Sequence, residues 1–420
     1  MKFMYDKIRF IIRKSGVLLI NCIIFCLSLL IPKTNKIVVI GGWFGERFAD
    51  NSKHFFLNAH ANKKALNINK VVWITRDKNI YKELKKNKFI VYMAWSLLGI
   101  WYHFRAKNHI IDQSPFDINP FFSIRSRRVN LWHGFPLKRI GTYMKNSKIK
   151  PKYKSIKWYL RKISVVGCWY DCYVLTTSEF SSKIIGRAFD VSEERTIISG
   201  YPRNYIALSD DPLNYIPHNE HYHYEMVRSF KESGYRIIGY FPTFRDKKET
   251  LIFGTDQYNE ILSFLDLCEN LKIKVIGKFH FAGKNDRCIK EIDAHKAFLN
   301  LPSDNDLYTF IEQIDLLITD YSSIYFDFLL YNKPIIFFPY DLKYYIEEDR
   351  GMIFKYDEYT PGPKAYDLKE LTDLLKDGYE KFEGYYRDSY SKTAGSLKIS
   401  IFDNPEAMGI EHLWNNIITK

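Results

Sequence analysis

Cysteine is scarce in this chain, with six among 420 residues, at positions 22, 26, 168, 172, 268 and 288. Cys168 and Cys172 are separated by Trp-Tyr-Asp, which is not a metal-knuckle spacing. A disulfide framework and a zinc knuckle are thereby excluded, and free thiols in a reducing compartment are expected. Acidic residues are also short: 48 Asp and Glu face 62 Lys and Arg, a formal charge of +14. That imbalance favours an anionic partner: nucleic acid, anionic lipid or a phosphate-rich substrate. No zinc-finger spacing or RNA-binding signature accompanies it, so no nucleic-acid partner is expected. No apolar run reaches the roughly 20 residues of a spanning helix. Gly41-Gly42-Trp43-Phe44-Gly45 follows a strand-like run but lacks the G-x-G-x-x-G spacing of a dinucleotide fingerprint. No internal repeat or low-complexity stretch is present.

What is there is a globular composition, 46% hydrophobic and 26% charged, with 31 Tyr, 31 Phe and 8 Trp. The length suits two α/β domains. Residues 1–33 stand apart. Met1 to Lys14 carries Lys2, Lys7, Arg9, Arg13 and Lys14, and Val17 to Ile31 is almost wholly apolar. Ile31-Pro32-Lys33 offers no small-x-small cleavage site, which argues against a secretion signal. Lys7, Lys14, Asn21 and Ser28 recur every seven residues and so share one polar stripe of a helix. A basic start with such a stripe suits a helix lying in the interface of an anionic membrane. The alternatives are a helix packed on the protein's own core and, less favoured by its length, a true membrane span.

In residues 34–215, strand-like runs at Lys36–Ile40, Lys70–Thr75, Lys88–Met93 and Asn108–Ile111 alternate with helical patterns, as in a doubly wound parallel sheet. Arg128 to Trp132 reads as a further strand delivering His133-Gly134-Phe135-Pro136-Leu137-Lys138. A histidine at a strand's C-terminal end stands where a reacting group belongs, and its unperturbed pKa permits base chemistry near neutral pH. Such a histidine is more often structural; Gly134, which leaves room beside it, and Lys138, which can neutralise a phosphate, shift the balance. Asp171–Thr176 and Ile197-Ile198-Ser199-Gly200-Tyr201-Pro202-Arg203-Asn204 close the domain. Residues 209–222 mix Asp, Pro, Asn and His without periodicity and mark a boundary.

Residues 216–402 form the second domain, and residues 403–420 a closing helix. Arg236–Tyr240 is a strand ending in Phe241-Pro242-Thr243-Phe244-Arg245-Asp246, Lys274–Gly277 delivers Lys278-Phe279-His280, and Leu316–Thr319 delivers Asp320-Tyr321-Ser322-Ser323. Ile324, Tyr325, Phe328 and Leu329 have helical spacing, and Pro334–Phe338 is the next strand. Ser322 and Ser323 are expected either to cap that helix or to offer a phosphate its N-terminus. Three strand ends bearing Arg245, His280 and the serine pair resemble a pyrophosphate site, at the edge where α/β sheets bind ligands. No metal site is expected: His133 and His280 fall in different domains, and Asp320 and Asp327 lie seven apart.

Taken together, Trp132-His133-Gly134-Phe135-Pro136-Leu137-Lys138, Gly200-Tyr201-Pro202-Arg203-Asn204, Pro242-Thr243-Phe244-Arg245-Asp246, Lys278-Phe279-His280 and Thr319-Asp320-Tyr321-Ser322-Ser323 through Asp327 resemble the CDP-glycerol glycerophosphotransferase family, the teichoic-acid primases and polymerases and their capsule-polymer relatives. Pro334, Asp341, Arg350-Gly351 and Pro361-Gly362 fit as well. The likeness covers roughly residues 130–365, and residues 1–125 carry little of it. Two positions depart from the family's habit: Phe281 stands where proline is usual, and Tyr205 where Asp is usual.

The resemblance implies a GT-B-like architecture, two Rossmann-like domains facing across a cleft, with acceptor on the first and CDP-alditol on the second. It implies that His133 is base to an acceptor hydroxyl, which attacks the donor's distal phosphate and releases CMP. His280, Arg245, Asp320, Ser322 and Ser323 would hold the donor, with Asp327 near its ribose; Lys138 and Arg203 would serve acceptor or phosphate. No cofactor is assigned. The expected partners are the CDP-alditol, a lipid-linked polyol-phosphate or glycan acceptor and an anionic membrane surface, the enzyme sitting peripherally on the cytoplasmic face of a bacterial membrane. Alternatives are a CDP-ribitol transferase, a glycosyltransferase using a nucleotide sugar, and a non-catalytic membrane scaffold holding an anionic polymer.

Overall fold

The computed structural model describes residues 23–144, 172–208, 221–243, 245, 251–278, 287–302, 306–403 and 409–419. His280, Phe281 and the stripe residues Lys7, Lys14 and Asn21 lie outside them. The chain forms two compact units: Met1–His133 with Lys145–Tyr205 and Glu406–Lys420, and Gly134–Met144 with Ile206–Pro405.

The first unit is built on seven parallel strands: β1 (Thr34–Ile40), β2 (Lys70–Thr75), β3 (Val91–Met93), β4 (Ala106–Ile111), β5 (Arg127–Asn130), β6 (Cys172–Thr176) and β7 (Thr196–Ile198), in the order β3-β2-β1-β4-β5-β6-β7. Val38, Val39, Ile40 and Val71 to Thr75 are fully buried, as strands covered on both faces require. The helices are α1 (residues 23–29), α2 (Asp50–Ala61), α3 (Lys78–Lys86), α4 (Leu97–Arg105) and α5 (Glu179–Phe189). Asp77 caps α3, its carboxylate accepting from the Asn79 and Ile80 amides, and the Ser96 hydroxyl caps α4; such a cap is worth about 1 kcal/mol. Right-handed crossovers carry α2 and α3 over one face of the sheet and α4 back over the other. The chain's last helix, Ile410–Thr419, returns to this unit: Trp414 Nε1 donates to Leu66 O at 3.0 Å, and Arg127 donates to Ile417 O.

The second unit has five parallel strands, β8 (Arg236–Tyr240), β9 (Ile273–Gly277), β10 (Phe298–Asn300), β11 (Leu316–Thr319) and β12 (Ile335–Phe337), in the order β10-β9-β8-β11-β12. Its helices include α6 (His221–Glu232), α7 (Tyr258–Asn270), α8 (Ile324–Phe328), α9 (Leu368–Leu375) and α10 (Tyr379–Ile401). In each sheet the strand order reverses once, between β1 and β4 and between β8 and β11. Crevices at such switch points, beyond the strands' C-terminal ends, are where open α/β sheets take ligands.

Three local expectations are corrected. Strand β5 stops at Asn130, because Trp132 has left-handed backbone (φ 56°). Strand β3 starts at Val91, because Lys88 is left-handed too (φ 61°). Helix α8 is only five residues long, followed by a 3-10 turn over Leu329–Tyr331, and Ser323 makes no side-chain cap bond to it. The serine pair therefore does not cap this helix, and a helix this short has little dipole to offer a phosphate. Strand β10 and the 23-residue α10 were not foreseen; α10 buries only Tyr379, Phe382, Tyr386 and Ile401, too few for a readable stripe.

Candidate active site

In the first unit, the switch point is filled by carboxylates that shape a loop. Asp112, just past β4, accepts from the Trp43 amide at 3.1 Å and from the Ser52 hydroxyl at 2.6 Å. Asp117 accepts from Phe44 N, Asp112 N, Gln113 N and Ser114 N at 2.8–3.0 Å. Burial, with Asp117 and Asp50 nearby, pushes the Asp112 carboxyl well above its ordinary pKa. Gly42 has to be glycine here, because a Cβ would stand 2.2 Å from Ser52 Oγ.

One strand further, β5 delivers His133 through an elbow. Trp132 is left-handed and Gly134 also has positive φ (120°), so the half-buried His133 stands between two unusual backbone turns. A bulky residue holds the left-handed region only where its surroundings compel it. Two side-chain amides do so. Asn130 Oδ1 accepts from Trp132 N at 2.8 Å, and Asn51 Nδ2 donates to Trp132 O at 2.8 Å. Asn51 Oδ1 accepts in turn from Arg203 N at 3.2 Å. The Trp132 ring lies 3.8 Å from the His133 ring and 4.4 Å from Phe189, centroid to centroid, and Trp43 is 6.4 Å from His133. The Arg203 side chain is buried, with Nη1 on Asp50 at 2.6 Å, so it ties the Gly200–Asn204 loop to the start of α2. Asn51, Asp50, Asp112 and Asp117 escaped the sequence reading. Their only signal is a run of short polar residues after strand ends, which ordinary turns share.

In the second unit, the switch point holds a buried ion network. Arg245 Nη1 donates to Asp320 Oδ2 at 2.7 Å, Nε to Asp341 Oδ2 at 2.9 Å and Nη2 to Asp341 Oδ1 at 2.8 Å. Nη1 also reaches Thr243 O. Asp320 accepts from the Thr243 amide at 2.8 Å and from the Tyr321 amide, and Asp341 from the Tyr321 hydroxyl at 2.9 Å. Tyr321, Tyr340 and Tyr345 surround the guanidinium, their ring centroids 4.9, 5.2 and 5.4 Å from Cζ. Burial works against the Arg245 charge, but Asp320 and Asp341 outweigh it and hold the pKa above its ordinary value. Burial first, then the partly opposing Arg245 charge and the carboxylates, leave the Tyr340 phenol pushed up to about 12. Among the described residues one cation faces two carboxylates, and Arg245 as placed organises the β8 and β11 loops. The tyrosine box was likewise not singled out, since 31 tyrosines give no contrast.

The other expected residues differ in access. Ser322 and Ser323 are half-exposed just beyond β11. Asp327 is buried and accepts from Tyr308 Oη at 2.7 Å. Lys138 belongs to the second unit, where it forms an antiparallel bridge with Met352, beside Arg139 Nε donating to Met352 O at 3.1 Å. Phe135, two residues past His133, packs on Phe326 of α8 with ring centroids 4.9 Å apart. Among the described residues, no group of three or more His, Cys, Asp or Glu is arranged to hold a metal ion.

Two parallel α/β units, one bearing a histidine elbow and the other a charged strand-end network, are an arrangement found in group-transfer enzymes. The chain belongs to the CDP-glycerol:poly(glycerophosphate) glycerophosphotransferase family, whose model matches residues 23–394, in agreement with the motifs. It is 27% identical over 387 residues to a teichoic acid poly(glycerol phosphate) polymerase of Bacillus spizizenii, covering 89% of this chain and 91% of that protein. It is 28% identical over 360 residues to a teichoic acid glycerol-phosphate transferase of Staphylococcus aureus, covering 82% and 84%. The fold is similar to that of the wall teichoic acid polymerase TagF, with a TM-score of 0.68 at 20% identity over 100% of this chain and 96% of that one. The protein is thus a transferase, of the glycerophosphotransferase kind.

Proposed function

We infer that the enzyme moves glycerol phosphate from CDP-glycerol to a terminal hydroxyl of a lipid-linked or growing polymer, at the cytoplasmic face of a bacterial membrane. His133 accepts the hydroxyl proton. The acceptor oxygen bonds to the glycerol-bearing phosphorus as the bond from that phosphorus to the bridging oxygen breaks, and CMP leaves with the electron pair. The division of labour is that of a GT-B enzyme, acceptor chemistry on the first unit and donor phosphates on the second. Ser322, Ser323 and His280 contact the donor phosphates, with Lys138 adding positive charge, while Arg245, Asp320 and Asp341 set the loops that present the serines. The observation that carries the reading is the doubly clamped elbow that aims His133 from the sheet edge, in a chain of this family. Purified enzyme is expected to release CMP from CDP-glycerol in the presence of acceptor, and His133→Ala to lower turnover by about 10²–10⁴-fold, the range for losing a general base. Near-normal turnover of that variant would remove His133 from the role. The same assay with CDP-ribitol and UDP-linked sugars decides the donor.

A further inference from the structure

The loop after β1, Gly41 to Arg47, is held more firmly than a plain connection needs. Trp43, Phe44 and Gly45 are left-handed in succession, with φ of 48°, 58° and 80°, a conformation that bulky residues keep only under compulsion. Asp112 holds the Trp43 amide and Asp117 the Phe44 amide. Arg76 Nη1 donates to Phe44 O at 2.7 Å, the Arg76 amide to Gly45 O at 2.7 Å, and Thr75 Oγ1 to Gly45 O at 2.8 Å. What this framework aims is the half-buried Trp43 ring, whose centroid stands 6.4 Å from that of His133. Arg47 is exposed and lays its guanidinium over the same indole, with Cζ 5.1 Å from the centroid. Proton transfer at His133 uses neither residue.

The carboxylates around this loop are engaged elsewhere. Asp50 is paired with Arg203, Asp117 accepts from four amides, Asp112 accepts from an amide and a hydroxyl, and the charge of Glu46 acts on Arg76. Burial also holds the Asp112 and Asp117 carboxyls above their ordinary pKa, so the floor of the loop carries less negative charge than two open carboxylates would. Among the described residues Arg47 is left with the Trp43 ring. A guanidinium stacked on an indole keeps its N–H edges for an outside acceptor, and its fork matches the oxygens of a phosphate.

We propose that Arg47, braced on Trp43, is a specificity-determining residue that binds the last phosphodiester of the acceptor while His133 takes the terminal hydroxyl. The proposal rests on the reading of His133 as the base, and adds to it what the first unit recognises in the acceptor. The spans fit. Arg47 Cζ is 5.1 Å from the Trp43 centroid and that centroid 6.4 Å from the His133 centroid, so the guanidinium lies no further from the imidazole than these two lengths laid end to end. An extended glycerol unit sets its free hydroxyl about 6 Å from its phosphorus, and a hydrogen bond of about 3 Å at each end makes about 12 Å from base to cation at most. An acceptor ending in a neutral unit gives Arg47 nothing to hold. The first unit therefore favours acceptors that already end in a polyol phosphate.

The test is steady-state CMP release by the full chain with two soluble acceptors of equal length. One ends in glycerol joined through a phosphodiester; in the other that link is a neutral ether. Wild type is expected to prefer the phosphodiester acceptor through KM. R47Q should raise KM for that acceptor about tenfold, the lower end for a hydrogen bond to a charged group because Arg47 is exposed, with donor KM unmoved and the neutral acceptor affected less than about twofold. R47K should recover part of the loss. W43L, which takes the platform away, should raise the same KM, and W43F, which keeps a ring under the guanidinium, should do so less. Raising KCl from about 0.05 to 0.5 M should narrow the wild-type preference and leave that of R47Q flat, since screening weakens only the charged contact. An unchanged preference in R47Q overturns the proposal. So does an equal loss on both acceptors, which would assign Arg47 to holding the loop, or a raised donor KM alone, which would assign it to the donor. Absence of CMP release by wild type with both acceptors overturns the functional reading instead. Titration calorimetry with the phosphodiester acceptor then decides the proposal by itself: binding about tenfold weaker in R47Q is expected, and equal binding overturns it.

Discussion

Replacing Arg245 by Met removes the one cation that the described residues bring to the network at the second unit's switch point and leaves its shape nearly filled. The Arg245 side chain is 0% exposed, and the Asp320 and Asp341 side chains are 1% and 6% exposed. Three charge-assisted bonds of 2.7–2.9 Å disappear. Asp320 keeps two backbone amides and Asp341 the Tyr321 hydroxyl, so neither is stripped bare, but both remain as buried carboxylates that have lost the Arg245 counter-charge. Breaking a buried pair from one side costs about 3–5 kcal/mol. With a urea slope of about 2 kcal/mol/M, the unfolding midpoint should fall by about 1.5–2.5 M. The described tryptophans, Trp43, Trp73, Trp95, Trp101, Trp132 and Trp414, all lie in the first unit, and the sequence of the second unit contains none, so tryptophan emission follows the first unit while far-UV circular dichroism follows both. The variant is expected to lower the circular-dichroism midpoint more than the emission midpoint. Adding D320N and D341N to R245M should recover most of the loss, since the stranded charges are then gone. If Arg245 were instead a direct phosphate ligand with its charge to spare, R245M would lose donor affinity at unchanged stability. A midpoint within about 0.3 M of wild type, worth less than 1 kcal/mol, refutes the network argument.

Two further outcomes follow from the first unit. Asn51→Ala removes the bond to Trp132 O and the acceptor for Arg203 N; kcat should fall about 10- to 100-fold, the scale of a misplaced reacting group, with donor KM and the circular-dichroism spectrum little changed. Steady-state CMP release checks it, and an unaltered kcat would mean that the elbow aims His133 without Asn51. The second concerns acid. Burial holds the His103 pKa down to about 4, against about 6.5 unfolded. The unfolded chain therefore takes up the proton first, and stability drops as pH falls from 6.5 to about 4, by about 3 kcal/mol in all. His103→Gln should flatten the change in urea midpoint between pH 7.5 and 5; identical slopes for variant and wild type would show that His103 contributes none of it.

The sequence by itself determined most of the secondary framework, because strands covered on both faces read as short apolar runs whatever lies around them. It also determined the family, through motifs clustered at strand ends, where ligand-binding groups gather. His133, Arg245, Asp320 and the serine pair were all legible at those ends. Their roles were not, because a charged side chain at a strand end looks the same whether it meets a ligand or another side chain. Only the tertiary structure decided that Arg245 and Asp320 hold each other with Asp341, residues 75 and 96 positions from Arg245 in the chain. It decided in the same way that Asn51 clamps Trp132 across 81 residues. It also reversed the expectation of a serine-capped helix, since α8 ends after five residues. Helix α1 shows the limit most plainly: periodicity put Ser28 on a polar stripe, but packing decided which way Ser28 faces, inward, with the leucines beside it turned out.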